Sequence, residues 1–410
     1  MSSHRAKRLK LLFLTPQLPY PPEQGAAIRN DNLILQAAKR HEVDLLSFAP
    51  EGADARPLEA ICHAVRTVPV PFRSRRARLM ALLTSSLPDM AWRLRSEAFA
   101  HALEEMLAAC EYDIVQVEGI EMAPYGLMVL ERRAGGRPKV IYDAHNAEYL
   151  LQRRAFETDL HHLKRWPSAI YSLIQWRRLA HFERRVCRVA DAVVAVSEAD
   201  AAALRPWCRS EPLVVPNGVD VTRYHPGLGD TLPLEHPAIV FTGKMDFRPN
   251  VDAVLWFYDE VWPLVRREVP EAVFYVVGHS PHKALDRLRA DASMRITGYV
   301  ADILPYFGGA DVYVVPMRIG GGTRLKVLEA MAAGLPLVST RLGAEGIHLV
   351  EGEHALLADD PKAFAEAVLL LLRDRARAAA LGQAARAFVM ARYAWAHLTP
   401  ALDALYERLV

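Results

Sequence analysis

Short apolar, β-branched runs alternate with longer stretches of helical spacing along nearly the whole chain, a pattern that predicts parallel sheets covered by helices. In the first half, Leu9–Thr15, Val43–Phe48, Val65–Val70, Asp113–Glu118, Val140–Ala144 and Ala192–Val196 read as strands. Several are apolar almost throughout, as strands buried on both faces are. Ala26–Arg40, Glu97–Ala109 and Ile170–Val189 read as helices between them. The pattern then starts again. Ala238–Thr242, Ala272–Val277, Met294–Thr297, Val312–Val315 and Leu337–Ser339 predict strands. Asn250–Glu268, Pro281–Ala290, Thr323–Ala333, Pro361–Arg373 and Ala376–Ala391 predict helices. Between the halves, Pro212-Leu-Val-Val-Pro216 leads into a Pro- and Gly-rich stretch ending at Pro237, a boundary signal near residue 217. The expected architecture is α/β, with two doubly wound Rossmann-like domains, 1–216 and 217–390, facing an interdomain cleft. A C-terminal helix, 391–410, is expected to pack back toward the first domain. In open parallel sheets, ligands bind beyond the carboxyl ends of the strands.

Composition narrows the function classes. A chain of 410 residues is too long for one ordinary core. Its net charge of +2 gives no electrostatic case for nucleic acid as a partner. No apolar run approaches the ~20 residues needed to cross a bilayer. The basic N-terminus and the apolar Leu11–Leu14 superficially suggest a signal peptide, but Pro16, Pro19, Pro21 and Pro22 follow at once, so a buried strand is the better reading. Cys62, Cys110, Cys187 and Cys208 show no CxxC spacing, which argues against a disulfide framework or zinc site. A reducing cytoplasm is the expected location.

The strongest chemical signal is Gly320-Gly321-Gly322-Thr323-Arg324-Leu325-Lys326-Val327-Leu328-Glu329, a glycine loop feeding a helix after a strand. Three residues without Cβ let backbone N–H groups approach a ligand closely. The helix N-terminus near Thr323 suits a pyrophosphate. Arg324 and Lys326 place cations where they oppose the helix dipole, a conflict that a bound anion would resolve. Glu329, about one and a half turns further on, is placed to accept hydrogen bonds from a ribose diol. The bland alternative is a Gly-rich turn with a solvated basic helix start and a surface Glu. The downstream turn Gly334-Leu-Pro336 tips the balance toward function.

Lys326-Val-Leu-Glu-Ala-Met-Ala-Ala-Gly-Leu-Pro336 closely resembles the donor-binding signature of glycosyltransferase family 4, retaining enzymes of the GT-B fold. Pro216-Asn-Gly-Val-Asp220 resembles that family's linker, and Phe241-Thr-Gly-Lys244 the opening of its second domain. Val276-Val-Gly278 and Thr297-Gly-Tyr-Val300 match its next two strand ends. The resemblance implies that Glu329 holds the ribose and that Lys244, Arg324 and Lys326, with Arg248, neutralise the diphosphate. It implies a donor site including Gly25, Gly243, Gly278, Gly321, Gly322, Thr323 and Leu325. There are two departures: many members carry a glutamate where Gly321 stands, whose loss bears on recognition of the sugar hydroxyls, and many carry a second lysine shortly after the one matching Lys244, where this chain has Asp246-Phe-Arg-Pro-Asn250, a change that brings in Arg248 as the further cation.

Three further segments are candidates. Pro21-Pro-Glu-Gln-Gly-Ala-Ala-Ile-Arg29 follows the first strand, and Gly25 would let the chain approach donor phosphates or acceptor. Arg29 is a candidate contact to acceptor or sugar. Glu118 and Asp143-Ala-His145 end adjacent strands, which puts Glu118 and His145 on the cleft rim, with His145 contacting sugar or acceptor. Asp143 as a helix N-cap is the alternative reading. The D-x-H spacing offers two metal-type donors without an evident third, so no metal is expected. Residues 151–190 carry a basic excess with Trp166, Tyr171, Trp176 and Phe182 interleaved, and Leu179, Phe182, Val186 and Val189 at helical spacing. That reads as one amphipathic helix packed on its own domain, or as a face for an anionic membrane or lipid-linked acceptor, to which Arg73-Ser-Arg-Arg-Ala-Arg78 could add.

The expected reaction is transfer of a sugar from a nucleoside diphosphate sugar to a hydroxyl of a glycan or lipid-linked acceptor, in cell-surface polysaccharide or glycolipid synthesis. Retention follows from the resemblance. No cofactor is expected: no DxD triplet is present, and fixed cations are available to the diphosphate. The expected location is cytoplasmic, peripheral to the inner face of the membrane. Two other readings share the fold: an epimerase or phosphorylase acting on a nucleotide sugar, and a non-catalytic accessory subunit.

Overall fold

The computed structural model describes residues 8–22, 25–74, 76, 80, 82, 84–160, 166–228, 232–319 and 324–410. The chain divides into two compact units, Met1–Pro216 together with Leu398–Val410, and Asn217–His397.

The first unit is built on seven strands: β1 (Lys10–Thr15), β2 (Glu42–Ala49), β3 (Ala64–Pro69), β4 (Ile114–Glu118), β5 (Lys139–Ala144), β6 (Ala192–Ala195) and β7 (Leu213–Val214). Their order is β3-β2-β1-β4-β5-β6-β7, and every pairing is parallel. β4 is buried along its whole length, including the polar Gln116 and Glu118, as a central strand between helix layers must be. The order reverses between β1 and β4, the place where such sheets open a ligand crevice.

The second unit repeats the plan with β8 (Ala238–Thr242), β9 (Val273–Val277), β10 (Met294–Ile296), β11 (Val312–Val315), β12 (Leu337–Ser339) and β13 (Leu356–Leu357). The order β10-β9-β8-β11-β12-β13 is again all parallel and switches between β8 and β11.

Several elements depart from the sequence expectation for identifiable reasons. β7 lies inside the segment expected as linker. Pro212 and Pro216 bracket it, and residues without N–H groups leave room for only two paired positions. The helix Ala123–Arg132 has no counterpart among the expected elements, and it contains Pro124 and Gly126. Pro124 occupies the first turn, where its missing N–H costs nothing, and a Cβ at Gly126 would stand 2.8 Å from Val117 Cγ2. The expected helix Asn250–Glu268 is an α-helix (Arg248–Trp256), a π-turn (Phe257–Val261) and a second α-helix (Trp262–Glu268). Pro263 cannot donate four residues back, and the wider turn absorbs the defect. Lys283–Ala290 is a 3-10 helix, whose three-residue repeat aligns the buried Leu285 and Leu288.

The single amphipathic helix expected over 151–190 is instead two helices, Glu148–Leu160 and Trp166–Val189. Leu179, Phe182 and Val186 face the core, and Trp176 stacks on Phe156 at 6.0 Å. The apolar side chains left exposed are Leu160, Trp166 and Ile170. No described helix is long and apolar enough to cross a membrane.

The last helix, Trp395–Leu409, passes from the second unit into the first. Its Asp403 accepts from Arg40 (3.1 Å) and faces His41 (3.4 Å). Its buried Tyr406 hydroxyl donates to Gln116 Oε1.

In the second unit, Gly382 sits within the helix Arg375–Arg392, and a Cβ there would lie 2.1 Å from the carbonyl oxygen of Gly334. An alanine inside a helix ordinarily gains about 0.5–1 kcal/mol over glycine. Here overpacking at about 1–3 kcal/mol outweighs that gain. Gly382→Ala is therefore expected to lower the urea midpoint of the full chain; a raised midpoint would show that the turn at Gly334 yields freely.

Candidate active site

In the second unit, Arg324 and Lys326 stand at the start of the helix Leu325–Ala332, which follows β11. The Lys326 ammonium lies 2.9 Å from Thr242 O at the end of β8 and 2.8 Å from Asn250 Oδ1. It also lies 4.3 Å from the centre of the Phe241 ring. An ammonium has three donors, so one remains without a partner among the described residues. Asn250 locks the arrangement from the other side, its Nδ2 donating to Lys244 O (2.9 Å). Arg324 is 8% exposed, yet its Nε and Nη2 have no partner among the described residues. Glu329, on the same helix, accepts from the Tyr224 hydroxyl at 3.2 Å.

Gly243 and Gly278 close the ends of β8 and β9 against each other. A Cβ on Gly278 (φ +147°) would stand 1.8 Å from Gly243 O, and one on Gly243 would stand 3.0 Å from Lys326 Nζ. Only glycine fits both. The ammonium thus reaches the strand end because no side chain occupies that space.

In the first unit, the register pairs Glu118 at the end of β4 with Asp143 on β5, which sets two fully buried carboxylates side by side. Arg29 and His145 meet them. Arg29, on the helix Gly25–Ala38, donates to Asp143 through Nε (3.1 Å) and Nη2 (2.9 Å), and through Nη1 to Val215 O (2.9 Å). His145 Nε2 lies 2.9 Å from Glu118 Oε2. Gln116 Nε2 donates to Glu118 Oε1 (2.7 Å), and the Asn30 amide, turned nitrogen-inward, donates to Oε2 (2.8 Å).

Comparison with known proteins shows the family to which the chain belongs. The family model described as Glycosyltransferase Family 4 matches residues 24–223, and the one described as Glycosyl transferases group 1 matches residues 236–374. The chain belongs to the family 4 glycosyltransferases. It is 29% identical over 317 residues to a GDP-mannose-dependent alpha-(1-6)-phosphatidylinositol monomannoside mannosyltransferase of Mycolicibacterium smegmatis, a match covering 70% of this chain and 74% of the relative. Among solved structures it resembles sucrose-phosphate synthase from Thermosynechococcus elongatus, with a TM-score of 0.69, 18% identity, and 98% and 99% of the two chains covered. It also resembles Anabaena HepE in complex with UDP and glucose, with a TM-score of 0.66, 16% identity, and 97% and 99% covered. These likenesses show the GT-B fold.

In this glycosyltransferase, the residues singled out from sequence fall into three groups. Arg324, Lys326, Glu329, Gly243 and Gly278 gather at the strand ends and helix start of the second unit, and Leu325 opens that helix. Gly321, Gly322 and Thr323 lie outside the described residues. Lys244 is half exposed and faces Asp246 (3.5 Å), while Arg248 opens the helix Arg248–Trp256 on the exposed side. Gly25 is exposed at the first position of its helix.

Two placements correct the sequence reading. Arg29, read as an acceptor or sugar contact, is 2% exposed and its guanidinium is engaged by Asp143 and Val215. Burying two carboxylates requires a cation, and Arg29 is that cation. Glu118, read as a rim residue, is wholly buried and is hydrogen-bonded to His145, whose side chain is 16% exposed. The D-x-H pair does have a third donor: atoms of Glu118, Asp143 and His145 lie within 4.8 Å of one another, a set that could hold a metal ion. In this structure the three are satisfied by one another, by Arg29 and by their neighbours. Asn250 and Gly119 are the residues that sequence reading missed. Gly119 (φ +79°) leaves room beside His145, whose Nδ1 lies 3.5 Å from where a Cβ would stand.

Electrostatics separates the two clusters. Burial tends to lower the pKa of His145, but the hydrogen bond and charge of Glu118 outweigh it and raise the imidazole above its ordinary value. The ring is thereby biased toward two N–H donors, one held by Glu118 and the other at Nδ1. Lys326 moves the other way. Burial, with Arg324 adding its like charge, pushes the ammonium down from 10.5 to about 7. Burial raises Glu329 against the opposing hydrogen bond from Tyr224.

The Lys326 shift has a direction in pH. The unfolded chain keeps this proton up to 10.5 while the native state releases it above about 7, so the native state gains stability as pH rises through that window. An anion bound beside Lys326 restores the proton, so binding above about 7 should take one up. Titration calorimetry of a nucleoside diphosphate at about pH 8.5, in buffers of different ionisation enthalpy, is expected to show uptake of up to roughly one proton that Lys326→Met abolishes. Equal enthalpies in all buffers would rule out this coupling.

Proposed function

We propose that this glycosyltransferase transfers a sugar from a nucleoside diphosphate sugar to a hydroxyl acceptor with retention of configuration and without a metal ion. The observation that carries the reading is Arg324: a buried guanidinium with two nitrogens lacking partners among the described residues, next to Lys326 at a helix start. A buried cation in that condition is costly unless an anion completes it. A diphosphate supplies the anion, and its charge grows as the glycosidic bond to the donor breaks. Donors already fixed there stabilise that charge without reorganising. Glu329, held by Tyr224, is positioned as the ribose acceptor. His145 serves the sugar or acceptor hydroxyl through Nδ1. Retention rests on the family resemblance. Metal independence rests on the fixed cations at the diphosphate.

The mannosyltransferase relative is named for GDP-mannose and a phosphatidylinositol monomannoside, which favours GDP-mannose as donor and a lipid-linked acceptor in glycolipid or polysaccharide synthesis. The exposed Leu160, Trp166 and Ile170 favour peripheral contact with an anionic membrane at the cytoplasmic face.

Lys326→Ala and Glu329→Ala should each cost on the order of 10²–10³-fold in kcat/KM. Near-wild-type turnover in both would refute the site. A thermal-shift panel of UDP, GDP, ADP and dTDP sugars identifies the donor. A ligand at ~100 times its Kd adds ~2.7 kcal/mol of stability, so the true donor should raise the melting temperature measurably. Silence across the panel would undercut the transferase reading.

A further inference from the structure

The first unit holds a second cluster of cations that the donor chemistry does not use. A cavity of about 260 Å³ is lined by Arg73, Arg93 and Arg95, with Trp92 and Phe72 as aromatic walls and Glu97 as the acid. Arg73 is largely buried. Its Nη1 donates to Asp89 at 2.7 Å, but Nε and Nη2 have no partner among the described residues. Arg95 lies flat over the Trp92 ring at 4.8 Å, and no ion pair is found for it among the described residues. Phe72 is 96% exposed at the rim, an unusual position for a large aromatic side chain with nothing to cover it.

One wall residue is tied through its ion pair to the neighbourhood of His145. Arg93 pairs with Glu121, whose Oε2 lies 3.0 Å from where a Gly119 Cβ would stand. His145 Nδ1 lies 3.5 Å from the same point.

Arg73 and Arg93 each share a carboxylate, Asp89 and Glu121, but Arg73 keeps two donor nitrogens without partners among the described residues and Arg95 has no ion pair among them, so the wall offers several N–H donors to an anion with several acceptor oxygens. A phosphoryl group fits that description, and guanidinium forks match its geometry. The aromatic walls suit the carbon skeleton that carries it. We propose that this cavity binds a phosphoryl group borne by the acceptor, with Arg73 and Arg95 as its principal ligands. The assignment to the acceptor rests on the transferase reading above. The phosphoryl group could belong to a lipid headgroup or to a soluble phosphate ester, and the same residues would hold either.

The test uses the full chain and two probes: glycerol 3-phosphate by calorimetry, and vesicles of phosphatidylcholine with or without phosphatidic acid by flotation. Arg95→Glu alters an exposed side chain with no hydrogen bond among the described residues, so it should fold. Arg73→Gln removes the buried half of the site. Each is expected to weaken phosphate binding by about tenfold or more while leaving the melting shift caused by a nucleoside diphosphate unchanged. Binding of glycerol 3-phosphate supports the site with a soluble ester. Binding confined to phosphatidic acid vesicles, and lost in both variants, supports it with a lipid source. Failure of the wild type with both probes, or wild-type binding by Arg95→Glu and Arg73→Gln, overturns the proposal. If phosphate binds but no nucleoside diphosphate does, the transferase reading fails and the cavity stands alone.

Discussion

A lysine ammonium placed where water is scarce, with no carboxylate hydrogen-bonded to it among the described residues, is the constraint on which the second unit turns. Lys326 is held by a strand-end carbonyl, an asparagine amide and an aromatic face, all of them neutral. Such an environment tolerates an ammonium without satisfying it, and the adjacent Arg324 makes the deficit larger. Around that deficit the local structure becomes intelligible. Gly243 gives up its side chain to make room, Gly278 must match it, and Asn250 ties the loop after β8 to the helix after β11. The fold maintains an unfilled electrostatic demand at the carboxyl ends of its strands.

The first unit solves the opposite problem. Its strand ends carry buried negative charge, and the chain brings in Arg29 from a helix and His145 from the following loop to meet it. Because Arg29 saturates Asp143, the imidazole is the member of the group that still faces outward. One unit therefore presents cationic side chains without paired carboxylates among the described residues, and the other an imidazole held by a carboxylate that raises its pKa. That division suits a reaction in which a diphosphate leaves and a hydroxyl arrives.

Much of this was legible in the sequence because it depends on periodicity and on residue types with narrow uses. Strands such as Val312–Val315 and helices such as Pro361–Arg373 follow from apolar spacing with clear breakers at both ends. Arg324 and Lys326 were legible because cations at a helix start defy the dipole. What escaped depends on partners remote in sequence. The linker-like Leu213-Val214 becomes a strand only because β6 offers it an edge. Arg29 looks like a ligand contact until Asp143, on another strand, is seen to claim it. Nothing local marks Gly126, whose missing side chain makes room for Val117 on a separate strand.

The hydroxyl of Tyr406 is joined through Gln116 and Glu118 to the ring of His145. All of the second unit is translated between the first unit's last strand and Tyr406. A ribosome that has finished the first sheet has thus made a nearly complete domain whose Gln116 carbonyl still lacks this donor. The hydrogen-bonded string behind His145 closes only after the second unit has been made, so the order of synthesis completes the buried network of the first unit last.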